Sequence, residues 1–210
     1  MNGATLVLAT RNAGKIREMR RILESRGLSV MGLSDFPAFP EPLEDGQTFA
    51  ENALKKAVVT AETLGLPAVA DDSGLCVAAL GGAPGVLSAR YGGEGLTDSQ
   101  RAERLLAALE GTADRSAAFV CVIALAVPGG ETLTWEGRVE GLITQAPDGS
   151  NGFGYDPVFF YPPKGTTFAR MKGDEKNAVS HRGQALRRFA DDLEKVGCLL
   201  SASVGKTPEP

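Results

Sequence analysis

Several short stretches of this chain hold residue types that can do chemistry. The first is Thr10-Arg11-Asn12-Ala13-Gly14-Lys15, which follows the apolar run Leu6–Ala9 and precedes residues at helical spacing, Ile16, Met19, Ile22 and Leu23. Thr10 and Asn12 supply hydrogen bonds, Gly14 lets the backbone come close, and Lys15 supplies charge. Polar residues on a strand-to-helix turn lie where ligands collect in open α/β sheets. The free N–H groups and positive dipole end of a helix start favour phosphate. The stretch reads as a phosphate cradle. The same residues also suit plainer roles, Asn12 as an N-cap and Lys15 as a solvated first-turn side chain. The common nucleotide loop G-x-x-x-x-G-K-[ST] is excluded, because Gly14 stands alone and Ile16 follows Lys15.

Carboxylates form the second set. Asp71 and Asp72 stand side by side after the apolar Ala68-Val69-Ala70 and before Ser73-Gly74. Successive side chains of an extended backbone point to opposite faces, so one Asp can enter a cleft while the other braces the turn. Alternation alone leaves open which does which, and the residue types equally suit a plain turn. A carboxylate here can bind a metal or act as a general base for water. Glu41, Glu44 and Asp45 crowd an acidic stretch upstream. They suit either a solvated loop or a carboxylate offered to magnesium, which takes oxygen ligands and shares them with substrate phosphates.

The third set is Asn151-Gly152-Phe153-Gly154-Tyr155-Asp156-Pro157. Rings beside glycines can present a flat face on which a base stacks, at roughly 1–3 kcal/mol per base; they can equally belong to the core. Asp156 can read polar atoms of a ligand or steady the loop. The fourth set is Lys172, Lys176 and Ser180-His181-Arg182-Gly183 at the start of a helical pattern. His181 is the one histidine, and with no His or Cys beside it a zinc site is not expected. The corner suits an anion or a carbonyl.

The elements that position these residues can be read from spacing. Leu28–Leu33 suits a second strand, and residues 34–47, with three prolines, should be irregular. Thr48 to Leu64 is the clearest helix, opened by the capping box Thr48/Glu51 and carrying apolar residues at helical spacing from Phe49 to Leu64. Glu51 and Lys55 are placed to pair on its surface. Lys56, four residues after Asn52, is aimed at phosphate or solvated. Gly65-Leu66-Pro67 breaks the helix, and a short strand over 68–70 leads into the paired aspartates. Gly81–Gly85 is a glycine-rich loop with no long strand before it, so it is not read as a dinucleotide loop. Thr97 and Gln100 cap a helix running to Leu109. Residues 117–127 and 132–143 are apolar runs around Pro128-Gly129-Gly130, a hairpin signal, and the loose alternation of the first predicts burial on both faces. Ser180 is placed as an N-cap for a helix with apolar positions Ala185, Leu186, Phe189, Leu193 and Val196. Residues 201–210 lack apolar pattern and read as a frayed tail.

Composition bounds the function classes. The chain has 210 residues, 43% hydrophobic and 23% charged, which suits one soluble domain of 1–200 or two intimate lobes. A net charge of −4 argues against broad nucleic-acid binding. No apolar run approaches the roughly 18 residues of a membrane span, and no secretion signal is evident. Cys76, Cys121 and Cys198 show neither metal-ligand spacing nor a disulfide framework. The expected location is the cytoplasm.

Taken together, the lysines and Arg182 suit polyphosphate, Asp72 and an acidic-loop residue suit magnesium, and Phe153 suits a base. The chain resembles the inosine/xanthosine triphosphate pyrophosphatase family. The resemblance rests on T-R-N-A-G-K (10–15), T-F-A-E-N-A-L-K-K-A (48–57), A-D-D-S-G-L (70–75), G-G-A-P-G-V-L-S-A-R-Y (81–91), G-F-G-Y-D-P-V-F (152–159) and S-H-R-G-Q-A-L (180–186), in family order over almost the whole chain. It implies an elongated α/β fold with a long, mixed, twisted sheet and two lobes around a central substrate cleft. It implies Mg2+-dependent hydrolysis of ITP, dITP and XTP to the monophosphate and pyrophosphate, cleansing the nucleotide pool, by a homodimer.

By the same resemblance, residues 10–15 (Thr10, Arg11, Asn12, Ala13, Gly14 and Lys15) and Lys56 bind the triphosphate. Asp72 is the general base and a metal ligand, and Ser73 contacts substrate. Phe153 stacks on the base beside Gly154, Tyr155 and Asp156, and Lys176, His181 and Arg182 close over it. Glu44 is the second metal carboxylate, placed by its distance ahead of T-F-A-E-N. Selection favours a 6-oxo purine without the 2-amino group of guanine, or with an oxo group there. The alternatives are a purine nucleotide sensor that does not cleave and a pyrophosphatase for other modified nucleotides.

Overall fold

The computed structural model of the chain describes residues 5–36, 39, 42–192 and 197. Glu41, Pro37, Pro40, Leu193, Val196, Cys198 and the expected tail at 201–210 lie outside these residues. The elements in chain order are β1 (Thr5–Leu8), α1 (Ala13–Glu24), β2 (Ser29–Gly32), α2 (Phe49–Leu64), β3 (Ala68–Val77), α3 (Asp98–Ala108), β4 (Ser116–Ala126), β5 (Thr132–Ile143), β6 (Phe159–Tyr161), β7 (Thr166–Thr167), α4 (Gly173–Val179) and α5 (His181–Asp191). The strands form one mixed, seven-stranded sheet in the order β2-β1-β3-β4-β5-β6-β7. β1 pairs in parallel with β2 and β3, while β6 pairs antiparallel with β5 and β7.

Local chemistry explains the helices. In α2 the Thr48 hydroxyl accepts from the Glu51 N–H, and the Glu51 carboxylate returns to the Thr48 N–H, which satisfies two of the orphan donors of a helix start. Ala53, Ala57 and Ala61 make a buried stripe of small residues. Gly65, at φ 64, ends the helix in the left-handed region. α3 repeats the capping box with Thr97 and Gln100. The Ser180 hydroxyl accepts from the Gly183 N–H, so Ser180 caps α5 as its residue type predicts. Glu51, committed to its cap, does not carry the surface pairing expected with Lys55; the Lys55 ammonium instead lies 2.5 Å from Asp45.

The largest departure from the sequence reading is β3. The expected strand of three residues followed by a turn is a strand of ten, and Asp71-Asp72-Ser73-Gly74 lies inside it. Turn propensity is local, whereas Leu75 and Val77 are fully buried and draw the extended backbone onward. The glycine-rich loop therefore does follow a long strand, but it runs into a 3-10 segment over Gly85–Arg90, not an α-helix. β4 is buried from Ala117 to Ala126 on both faces, as its pattern predicts.

Two compact units arise, with their boundaries inside β3, β4, β5 and α5. The first holds 1–72, 122–136 and 185–210; its core includes Val7, Ala9, Leu33, Phe39, Ala57 and Val122. The second holds 73–121 and 137–184, around a core that includes Leu75, Leu105, Phe119, Tyr155, Phe159 and Phe168.

Candidate functional site

In the first unit, α1, α2, β3 and the acidic segment before α2 bring charged side chains together. The Lys15 ammonium lies 3.2 Å from the buried Asp71 carboxylate. Lys56, only 2% exposed, donates to the Glu44 carboxylate and to the Asp71 carbonyl oxygen at 2.6 Å, and lies 3.7 Å from the Asp72 carboxylate. The Asn52 amide donates to Asp72 at 3.0 Å, and its oxygen accepts from the Gly46 N–H at 2.7 Å. Asn52 thus ties the acidic segment and the second aspartate to one helix face. Unpaired buried carboxylates cost several kcal/mol each, which is why two adjacent aspartates are tolerated only with Lys15, Lys56 and Asn52 beside them.

The charge balance of this cluster is uneven. Lys15 and Lys56 face Glu44, Asp71 and Asp72. Burial works against the Lys56 charge, but the three carboxylates outweigh it and raise its pKa above the usual 10.5. Burial, with the Glu44 charge, pushes Asp72 above its usual 3.8, against the opposing pull of Lys56, Lys15 and the Asn52 hydrogen bond. Carboxylate oxygens are hard donors, the kind that suit a divalent cation. Glu44 and Asp72, gathered about one ammonium, supply the oxygen donors that magnesium takes when it shares substrate phosphates. Among the described residues no group of three or more His, Cys, Asp or Glu side chains is arranged to hold a metal.

The 10–15 stretch carries the expected N-cap. The Asn12 side-chain oxygen accepts from the Gly14 and Lys15 N–H groups at 2.9 and 3.1 Å, an N-cap in full. Thr10 is buried, and its hydroxyl accepts from the Asn12 N–H at 3.2 Å. Ala13 is the first residue of α1. Lys15, by contrast, is drawn to Asp71, not solvated. The Arg11 guanidinium donates to the Phe39 carbonyl at 2.7 Å.

In the second unit, Asp156 organises the aromatic loop. Its carboxylate accepts from the Phe153 N–H at 2.9 Å and lies 2.6 Å from the Lys176 ammonium, with both partners of that ion pair buried. Gly152 makes this possible: its φ is 78, and a Cβ there would lie 2.0 Å from Asp156 Oδ2. The Lys176 ammonium and the Arg182 guanidinium lie 4.6 and 5.5 Å from the centre of the Phe153 ring. Arg182 also donates to the Ser73 hydroxyl at 2.9 Å. Phe153 itself is half-buried. The Tyr155 hydroxyl donates to the Ser88 carbonyl at 2.9 Å, and its pKa is pushed far above the usual 10 by burial. His181 is buried, with its ring stacked on Phe119 at 4.6 Å between centres. Gly154 turns at φ 61.

Every expected site residue falls into one of these two sets: residues 10–15, Glu44, Lys56 and Asp72 in the first unit, and Ser73, 153–156, Lys176, His181 and Arg182 in the second. Lys56, read as solvated or phosphate-directed from spacing, is buried. Sequence reasoning missed Asn52, Asp71 as the partner of Lys15, and Ser88. The signal for Asn52 was present: a polar residue four before a lysine on the apolar side of a helix.

A family model described as the Ham1 family matches residues 6–192. The chain is 57% identical over 196 residues to a protein of Syntrophobacter fumaroxidans named dITP/XTP pyrophosphatase, covering 93% of this chain and 84% of that one. It is 54% identical over 190 residues to the protein of the same name from Geobacter sulfurreducens, covering 90% and 96%. Among solved structures, a HAM1 protein from Coxiella burnetii superposes with a TM-score of 0.85 at 45% identity, covering 92% of this chain and all of that one (100%). The nucleoside-triphosphatase, dITP/XTP pyrophosphatase, of Mycobacterium abscessus gives 0.73 at 45% identity, covering 88% and 98%.

Proposed function

The chain belongs to the Ham1 family, and from that premise we infer that it hydrolyses non-canonical purine nucleoside triphosphates to the monophosphate and pyrophosphate. It is a nucleoside triphosphate pyrophosphatase, a hydrolase of nucleotide metabolism, with dITP and XTP as the substrates its relatives' names point to. The observation that carries the reading within this chain is the cluster of the buried Lys56, Asp71 and Asp72 with the partly buried Lys15 and Glu44. It gathers anion-binding cations and a proton-accepting carboxylate in one place.

The residues divide the work. Lys15 and Lys56 exchange carboxylate partners for phosphate oxygens when substrate arrives, with the Asn12-capped start of α1 beside them. Asp72 accepts a proton from the water that attacks the α-phosphorus. The new bond joins the water oxygen to that phosphorus, the bond to the bridging oxygen breaks, and pyrophosphate leaves with its charge met by the lysines. Asp72 and Glu44 would hold a magnesium ion, which would supply further charge neutralisation at the phosphates. Phe153 gives the purine a ring to stack on. Asp156, Lys176, His181 and Arg182 supply donors and acceptors for its polar edge, and a buried group left unpaired by the wrong base gives discrimination.

The two-carboxylate donor set supports Mg2+ as the cofactor, and the family resemblance supports a cytoplasmic homodimer. No helix among the described residues is long and apolar enough to cross a membrane. The test is Asp72→Asn. The variant should lose pyrophosphate release from ITP by at least about a thousandfold while binding ITP within a few-fold of the parent, a size set by the loss of general-base and metal contributions together. Retained turnover in the variant would overturn Asp72 as the base. A parent chain that binds ITP and never cleaves it would be a sensor.

A further inference from the structure

α3 belongs to none of the stretches that carry the resemblance, yet it reaches the aromatic loop. Its first residue, Asp98, is bonded through both carboxylate oxygens. Oδ1 lies 2.8 Å from the Arg101 guanidinium, and Oδ2 accepts from the Gly154 N–H at 2.7 Å, 56 residues further along the chain. The start of α3 does not need Asp98 as its cap. Thr97 and Gln100 already form a complete capping box there. The oxygen aimed at Gly154 therefore serves another element. Burial works against the charge of Asp98, but the Arg101 and Gly154 hydrogen bonds outweigh it and hold its carboxyl below the usual 3.8, so the acceptor is ionised at neutral pH.

Gly154 is the peptide between Phe153 and Tyr155. The loop is held at successive points: Phe153 N–H by Asp156, Gly154 N–H by Asp98, the Tyr155 hydroxyl by the Ser88 carbonyl, and Asp156 by Lys176. The Ser88 hydroxyl in turn accepts from the Leu75 N–H at 2.9 Å, so the Tyr155 anchor is continuous with β3 two residues past Ser73. Asp156 and Lys176 are claimed by the base pocket itself. Asp98 secures the loop from outside the pocket, at the peptide next to the stacking ring.

We propose that Asp98 is a positioning residue for purine recognition: by holding the Gly154 N–H it sets the Phe153 ring and the Asp156 carboxylate where the base is read. The proposal rests on the reading of Phe153–Asp156 as the base pocket. A hydrogen bond to a charged group is strong enough for its loss to move binding about tenfold. The loss should fall on base-dependent steps, because Asp98 touches neither the lysines nor Asp72.

The experiment uses the full chain with Mg2+ and compares Asp98→Ala, Asp98→Asn and Thr97→Ala. Pyrophosphate release is followed from ITP and ATP, with ITP binding measured by calorimetry in parallel. Asp98→Ala should raise KM for ITP about tenfold, leave kcat within about twofold, and narrow the preference for ITP over ATP. Asp98→Asn keeps an oxygen within reach of the Gly154 N–H and should restore most of the loss. Thr97→Ala weakens the same helix start without touching Gly154, so it should lower Tm and leave KM unchanged. An unaltered KM in Asp98→Ala, or an equal rise in Thr97→Ala, would overturn the proposal while leaving the pyrophosphatase reading intact. A parent chain that neither binds nor cleaves ITP would overturn the pyrophosphatase reading, and the proposal with it.

Discussion

Asp72 is 4% exposed, and its burial first, then Lys56, Glu44, Lys15 and Asn52, move the pH at which its carboxyl ionises. Burial and the Glu44 charge raise its pKa, so its basic form is reached later than for an exposed aspartate. A base works above its pKa. The acid limb of the pH–kcat profile should therefore lie above pH 3.8. Asn52 opposes the rise through its hydrogen bond, so Asn52→Ala should shift the limb to still higher pH. A limb unmoved or shifted downward in that variant would contradict the assignment. Lys56, whose pKa is raised, keeps its charge past pH 10.5 and should cause no alkaline fall below that value. The residue types and spacing of these groups were legible in the sequence. Their pairing was not, because Lys15 meets Asp71, and Lys56 meets Glu44, across gaps in sequence that only the fold closes. Alternation placed Asp71 and Asp72 on opposite faces without saying which met which lysine.

The elements most legible in the sequence were those announced by local chemistry. The capping boxes of α2 and α3 and the N-cap of α5 are set by residues three apart, and each is found in place. β3 was misjudged for the opposite reason. Asp-Asp-Ser-Gly has the local signature of a turn, and strand pairing and burial overrode it. β6, β7 and α4 are too short, at three, two and seven residues, to show a period. The loop before β6 yields a prediction at this scale. Gly152→Ala forces a side chain into positive φ and into Asp156, whose oxygen already serves Phe153 and Lys176. Gly154→Ala meets the same φ problem with nothing within 4 Å, and costs only about 1–2 kcal/mol of backbone strain. Gly152→Ala should raise KM for ITP at least about tenfold and exceed Gly154→Ala in this effect. Equal effects would show that Asp156 tolerates displacement.

At the scale of the whole molecule, the sequence reading of a mixed α/β sheet holds, and the seven strands supply its order. Two compact units divide the candidate residues, with the lysine–carboxylate cluster in one and the aromatic loop in the other. The chain passes from one set to the other between Asp72 and Ser73, inside a single strand. The adjacency is visible in the sequence as A-D-D-S-G-L, whereas the continuous strand that carries it is not, because Asp-Asp-Ser-Gly has the local signature of a turn. If the first set handles phosphate and the second chooses the base, as proposed above, one assay reads both. Pyrophosphate release with Mg2+ at neutral pH is compared from ITP, dITP, XTP, ATP and GTP, side by side. Strong release from the first three and little from ATP and GTP is the predicted result. Equal release from all five would contradict the base-pocket assignment, and none from any would contradict the activity.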